Sequence, residues 1–162
     1  MHRDGNSNLP CWIGALLAAA VIGADQLLPR GAGAELKAVG VVVLVGAAVL
    51  MFVPFVQLPR MGGTPRGRPY FETAHIADRG LYGVVRHPQY LGYILLVLGF
   101  AALSQHLVTV SLAVLAVGFF LVQAMAEEKL LARRFGAAWN EYSARVPRLN
   151  ILAGVIRWLR GS

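Results

Sequence analysis

Two short stretches carry the residues able to do chemistry. One runs from Arg79 to Gly92 and reads R-G-L-Y-G-V-V-R-H-P-Q-Y-L-G; the other is the pair Glu127-Glu128. Pro88 suits the first position of a helix, where its missing N–H costs nothing and its φ is already helical. The N–H groups that follow are expected to lack partners and to carry the positive end of the helix dipole, with Arg86 and His87 beside them. Such a helix start seats a small anionic group. An acidic pair next to it suits a zwitterion, with the ammonium on Glu127 and Glu128 and the carboxylate on the helix start. Tyr90, on the next turn, can hydrogen-bond or stack on an aromatic ring, and Gly92 leaves room for close approach. A purely structural reading stands beside this one: Glu127 and Glu128 pairing with Arg86, Arg133 or Arg134 at a headgroup boundary.

The elements that must position these residues are membrane helices. Of the 162 residues, 57% are hydrophobic and 14% charged, and several apolar runs approach the roughly 20 residues that cross a bilayer. The spacing predicts an all-α polytopic bundle of about four spans, near 11–28, 36–58, 88–104 and 107–126, within one domain over 1–162. The break Ser104-Gln105-His106 is so short that the last two spans form an antiparallel hairpin. That hairpin brings the start of the third span alongside the end of the fourth. Cys11–Leu28 is read as a span rather than a signal peptide, although Ala32-Gly33-Ala34 fits a small-residue cleavage site. Asp25, near the end of that span, is read as interfacial in preference to a buried partner, and Pro54 is expected to kink the second span near its exit at Leu58. Residues 59–79 form a polar connection in which Tyr70 and Phe71 are placed to cover a pocket and His75 is solvated. Beyond Ala126, Leu130, Leu131, Phe135, Ala138, Trp139 and Tyr142 fall on one helical face. Gly136 marks a bend, Val146-Pro147 an end, and 151–159 a second amphipathic piece with Trp158, Arg157 and Arg160 at the interface.

Of the 15 Lys and Arg residues, five lie between Arg60 and Arg86 and seven between Lys129 and Arg160. Clusters beside spans follow the positive-inside pattern and suit contact with membrane lipids. They place both termini and the site on the cytoplasmic side of an inner or plasma membrane, and argue against nucleic acid as a partner. Cys11 is the only cysteine, which excludes an intrachain disulfide. The histidines at 2, 75, 87 and 106 have no ligand spacing, so no metal is expected. Nucleophile-elbow, P-loop and G-x-G-x-x-G motifs are absent from the sequence.

The order G-L-Y-G-V-V-R-H-P-Q-Y-L-G, an apolar hairpin, then E-E-K-L-L-A-R-R-F-G-A-A-W-N-E-Y-S-A-R-V-P-R resembles the isoprenylcysteine carboxyl methyltransferase family, whose wider group includes the phospholipid methyltransferases. The resemblance covers residues 79–150. It implies a membrane-embedded methyltransferase that uses S-adenosylmethionine, releases S-adenosylhomocysteine and has no Rossmann domain. By position, Arg86, His87, Pro88, Tyr90, Gly92, Glu127 and Glu128 would line the cofactor pocket, and Phe135, Trp139 and Tyr142 would close it over the adenine. Arg86, Arg145 or an arginine of the 60–79 loop would orient an anionic acceptor. That acceptor would be lipophilic (an isoprenylcysteine-like carboxylate, a lipid or a thiol) and would enter from the bilayer. Methyl transfer is an in-line displacement that depends on alignment more than on acid–base groups. Two alternatives are a sterol-reductase-like enzyme using NADPH and a non-enzymatic membrane scaffold; the intact Glu127-Glu128 pair favours the methyl donor.

Overall fold

Seven helices make up the described residues, 8–63 and 73–160, of the computed structural model, and no strand occurs among them. They are α1 (Leu9–Leu27), α2 (Ala34–Gly62), α3 (Leu81–Val84), α4 (Pro88–Ser104), α5 (Leu107–Phe135), α6 (Ala137–Arg145) and α7 (Ile151–Leu159). Helices α1, α2 and α5 are long and apolar enough to cross a membrane, and α4, at 17 residues, is a shorter apolar helix. The chain is a helical integral membrane protein. Tyr70 and Phe71, expected to cover a pocket, lie outside the described residues.

The chain divides into two units, one of residues 1–49 and 92–127, the other of 50–91 and 128–162. In the first, small residues let helices approach closely, as membrane helices commonly require. A Cβ on Gly14 of α1 would lie 2.8 Å from the Phe120 ring of α5, and one on Gly40 of α2 would lie 2.9 Å from the Gly99 carbonyl oxygen of α4. Val41, Val42 and Val45 remain exposed, which suits a lipid-facing side.

The two turns of this unit are tied together. Gly31 N–H donates to the Ser104 carbonyl at 2.9 Å. The Gln105 side chain accepts from Gly33 N–H at 3.0 Å and donates to the Gly33 carbonyl at 2.7 Å. Gln105 has φ of 54°, a left-handed conformation that a non-glycine residue adopts at a cost. The paired bonds to Gly33 offset it. Asp25 departs from the interfacial reading: it is 1% exposed and takes both nitrogens of an Arg30 fork, at 3.0 and 2.6 Å. His106 caps α5, its Nδ1 accepting from Val108 N–H at 3.3 Å.

In the second unit, α2 continues past the expected exit at Leu58, carrying Pro54 and Pro59 inside the helix as far as Gly62. The Gly62 carbonyl then accepts from Ala74 N–H at 2.7 Å and His75 N–H at 3.0 Å. Gly136, at φ 54°, separates α5 from α6; a side chain there would be strained despite the open space around it. Asn150 caps α7, its Oδ1 accepting from Ala153 N–H at 3.0 Å. Gly154 lets α7 sit directly on α3, because any Cβ there would overlap the Val84 carbonyl.

Candidate active site

The site is built on the end of α5 and on an extended segment that enters α4. Val85, with φ −143° and ψ 138°, ends α3 in an extended conformation. Arg86 N–H then donates to the Pro147 carbonyl at 2.9 Å, and His87 N–H to the Arg148 carbonyl at 3.2 Å. The segment that follows α6 is thus fixed against the segment that precedes α4. It also consumes the two backbone donors just ahead of the buried Pro88, so an anion at this helix start meets side chains there rather than those two amides.

Glu128 is the centre of the cluster. Its carboxylate lies 3.0 Å from Arg86 Nη1 and 3.3 Å from His87 Nε2, and it accepts from Arg148 Nε at 2.9 Å and Nη2 at 2.6 Å. The Arg148 fork is bidentate, the strongest arrangement available to this pair, and hydrogen bonding to Glu128 raises the Arg148 pKa still further. His87 also meets the Tyr90 ring, with centroids 5.6 Å apart. Arg86 lies over the Trp139 ring at 6.0 Å, and its buried Nε has no hydrogen-bond partner among the described residues.

Trp139, Tyr142 and Val146 form a buried cluster against which Leu131 and Phe135 pack. The Trp139 and Tyr142 rings meet at a tilt of 58° with centroids 5.5 Å apart, and the Tyr142 hydroxyl donates to the Tyr82 carbonyl at 2.8 Å. Burial pushes the Tyr142 phenol well above its ordinary pKa, so it stays protonated. Arg86, His87, Glu128, Trp139 and Tyr142 are therefore joined through direct contacts.

The remaining sequence-derived residues stand differently. Glu127 adjoins Glu128 on α5, is half-buried, and forms no hydrogen bond or ion pair among the described residues. Gly92 is buried within α4. Arg145 makes no contact with Glu128; it is exposed and lies 3.9 Å from Glu141. Pairing of Glu128 with Arg86 agrees with one half of the structural reading, whereas Arg134 instead donates to the Thr73 carbonyl at 2.6 Å. Arg148 was the residue that sequence reasoning missed. Its signal was the second arginine of R-V-P-R, just past the proline that ends α6. No group of three or more His, Cys, Asp or Glu that could hold a metal occurs among the described residues.

A family model described as phospholipid methyltransferase matches residues 36–138, more than half of the chain. The chain belongs to this methyltransferase family. The match spans α2 to the start of α6 and takes in Arg86, His87 and Glu128. It stops short of Trp139, Tyr142 and Arg148, which the fold alone attaches to the cluster. No curated protein and no solved structure matches the chain.

Proposed function

We propose that this membrane methyltransferase uses S-adenosylmethionine and methylates a lipophilic acceptor. The observation that carries the proposal is the buried Arg86 Nε, a guanidinium donor with no acceptor in a cluster that already holds more cations than carboxylates. A buried donor of this kind costs free energy unless something accepts from it. The carboxylate of an amino-acid group answers that need, and the Glu127 carboxylate, on the residue next to Glu128 and without a partner among the described residues, answers the ammonium. The amino-acid end of S-adenosylmethionine offers both charges, so the donor set fits it. Tyr90, Trp139 and Phe135 supply ring faces for the base.

When bound, the cofactor supplies an electrophilic methyl group on a sulfonium. The protein's own part is orientation and exclusion of water. Glu128 holds Arg86, His87 and Arg148 in one arrangement, and this preorganisation removes the cost of ordering three side chains at the moment of binding. The aromatic cluster of α6 limits water at Arg86. The positive-inside pattern of the basic loops favours a cytoplasmic position for this side of the protein, where the cofactor is available, with the acceptor arriving from the bilayer.

Isothermal calorimetry on detergent-purified protein tests this reading. Saturable binding of S-adenosylmethionine and S-adenosylhomocysteine, with none for NADPH, is expected. NADPH binding alone would move the chain to a reductase-like chemistry, and binding of none of the three by folded protein would remove the proposal.

A further inference from the structure

A cleft of about 210 Å³ opens beside α3, α6 and α7, and Arg79, Arg145 and Arg157 all line it. Asp78 is the only carboxylate among its lining residues, which leaves an excess of two positive charges, and Tyr142 and Trp158 supply apolar wall. Arg157 is held in place by donating to the Gly83 carbonyl. Arg145 projects from α6 with its side chain 56% exposed. Asp78 in the lining and Glu141, 3.9 Å from Arg145, offset part of the charge of the three guanidinium groups, and an anion that joins the arginines would offset the remainder.

The cleft's location narrows the class of anion. Helix α7 contributes Arg157 and Trp158, and it is amphipathic. Leu152, Val155, Ile156 and Leu159 recur at helical spacing and are all exposed, Leu152 by 74% and Leu159 by 71%. In an integral membrane protein, a short helix with an exposed apolar face, a tryptophan and flanking arginines lies at the level of the lipid headgroups. The volume is below the roughly 300–1,000 Å³ of sites that enclose a whole ligand, so it suits a headgroup whose tails remain outside along α7.

We infer that this cleft is a lipid site that seats the anionic phosphodiester headgroup of a membrane amphiphile, with the acyl chains lying on the apolar face of α7. The inference is independent of the cofactor reading. It rests on the membrane location and on arginines outside the Glu128 cluster.

The test is titration of full-length protein, in a neutral detergent, with monomeric dihexanoyl phosphatidylglycerol. Dihexanoyl phosphatidylcholine and inorganic phosphate serve as comparison probes, and the readout is intrinsic tryptophan fluorescence. Phosphatidylglycerol is expected to bind at least about tenfold more tightly than either, on the basis of the attraction that each interfacial arginine adds. The double variant R79Q/R145Q should lose about tenfold or more of that affinity, and unchanged thermal unfolding would certify its fold. Should that variant fold poorly, the single variant R79Q is expected to show a smaller loss in the same direction. Equal affinity for the two lipids, or unchanged affinity in the folded variants, overturns the site. Inorganic phosphate binding as tightly as the lipid overturns the amphiphile. Calorimetry with S-adenosylhomocysteine on the same wild-type preparation reports separately on the cofactor.

Discussion

Two buried carboxylates, Asp25 and Glu128, are treated in opposite ways by this protein. Asp25 meets one arginine five residues away, and Gln26 Nε2 donates to its Oδ2 at 3.0 Å. One charge faces one charge, both come from a single stretch of chain, and the guanidinium remains partly in water at 46% exposure. Such a pair is balanced and has a sufficient structural explanation: it fixes the turn that follows α1. Glu128 instead gathers an imidazole 41 residues away, a guanidinium 20 residues away and a second guanidinium, that of Arg86, from the segment before α4. Two arginines around one carboxylate leave positive charge in excess, with a buried donor unmet. Desolvation makes that surplus expensive in the protein alone. The imbalance, more than the burial, separates a binding cluster from a structural ion pair.

The largest effect expected is from Glu128→Gln. Removing one partner of a buried ion pair typically costs about 3–5 kcal/mol, and here two arginines would be left facing each other. Thermal unfolding should shift strongly downward, and calorimetric binding of S-adenosylhomocysteine should vanish with it. Asp25→Asn breaks the comparison if it behaves the same way. It should lower the unfolding midpoint while cofactor binding survives, and loss of binding in that variant would show that the two carboxylates are not functionally distinct.

Glu127→Gln sharpens the contrast at the level of neighbouring residues. With no hydrogen-bond or ion-pair partner among the described residues to lose, it should leave the unfolding midpoint where it is. A hydrogen bond to a charged group is worth about 1.5–3 kcal/mol, so cofactor affinity should fall by about one to two orders of magnitude. An unchanged calorimetric affinity would remove Glu127 from the proposed site. Arg148→Lys is expected to do less: the charge stays but the fork is lost. We expect about a tenfold weaker cofactor affinity and a modest drop in unfolding temperature, because Glu128 keeps one cationic partner in that place.

Why some of this was legible in the sequence, and some not, follows from the range of the forces involved. Pro88 opening α4, Gly136 breaking α5 from α6, and α7 spanning Ile151–Leu159 all depend on local φ preferences or on helical periodicity. Each is visible within about ten residues of sequence. Helix α2 runs past its expected end because proline removes a single hydrogen bond without always ending a helix in an apolar setting, and two of them fit inside α2. Helix α3 has only four residues, Leu81–Val84, too few to show any period. Arg148 could not be paired with Glu128 from periodicity, because that contact crosses a helix break and a proline. Nor could the sequence separate Glu127 from Glu128. Successive residues point about 100° apart on a helix, so neighbours of one type meet different surroundings, and only the fold says that Glu128 is the enclosed one. Asp25 is the opposite case. Its partner is close in sequence, but a position at the end of a span favours the interfacial reading, and only the turn after α1 brings Arg30 back onto the carboxylate.

The smallest effect, and the one that best defines what α6 contributes, is expected from Tyr142→Phe. The hydroxyl donates to the Tyr82 carbonyl at 2.8 Å and is enclosed by Trp139 and its neighbours. Losing a single neutral hydrogen bond of this sort costs about 0.5–1.5 kcal/mol, which should appear as a small decrease in unfolding temperature. Cofactor affinity should change little, because the ring that packs beside Trp139 is retained. The phenol is also held protonated by burial, so it has no charge to gain or lose near neutral pH. The pH profile of S-adenosylhomocysteine binding between about pH 8 and 11, a window that brackets the ordinary tyrosine value of about 10, should therefore be the same with and without the hydroxyl. A profile that moves in the variant would mean that Tyr142 exchanges a proton with the site. It would then join Glu127 as a charged contributor, whereas an unmoved profile confines its role to packing Trp139 beneath Arg86.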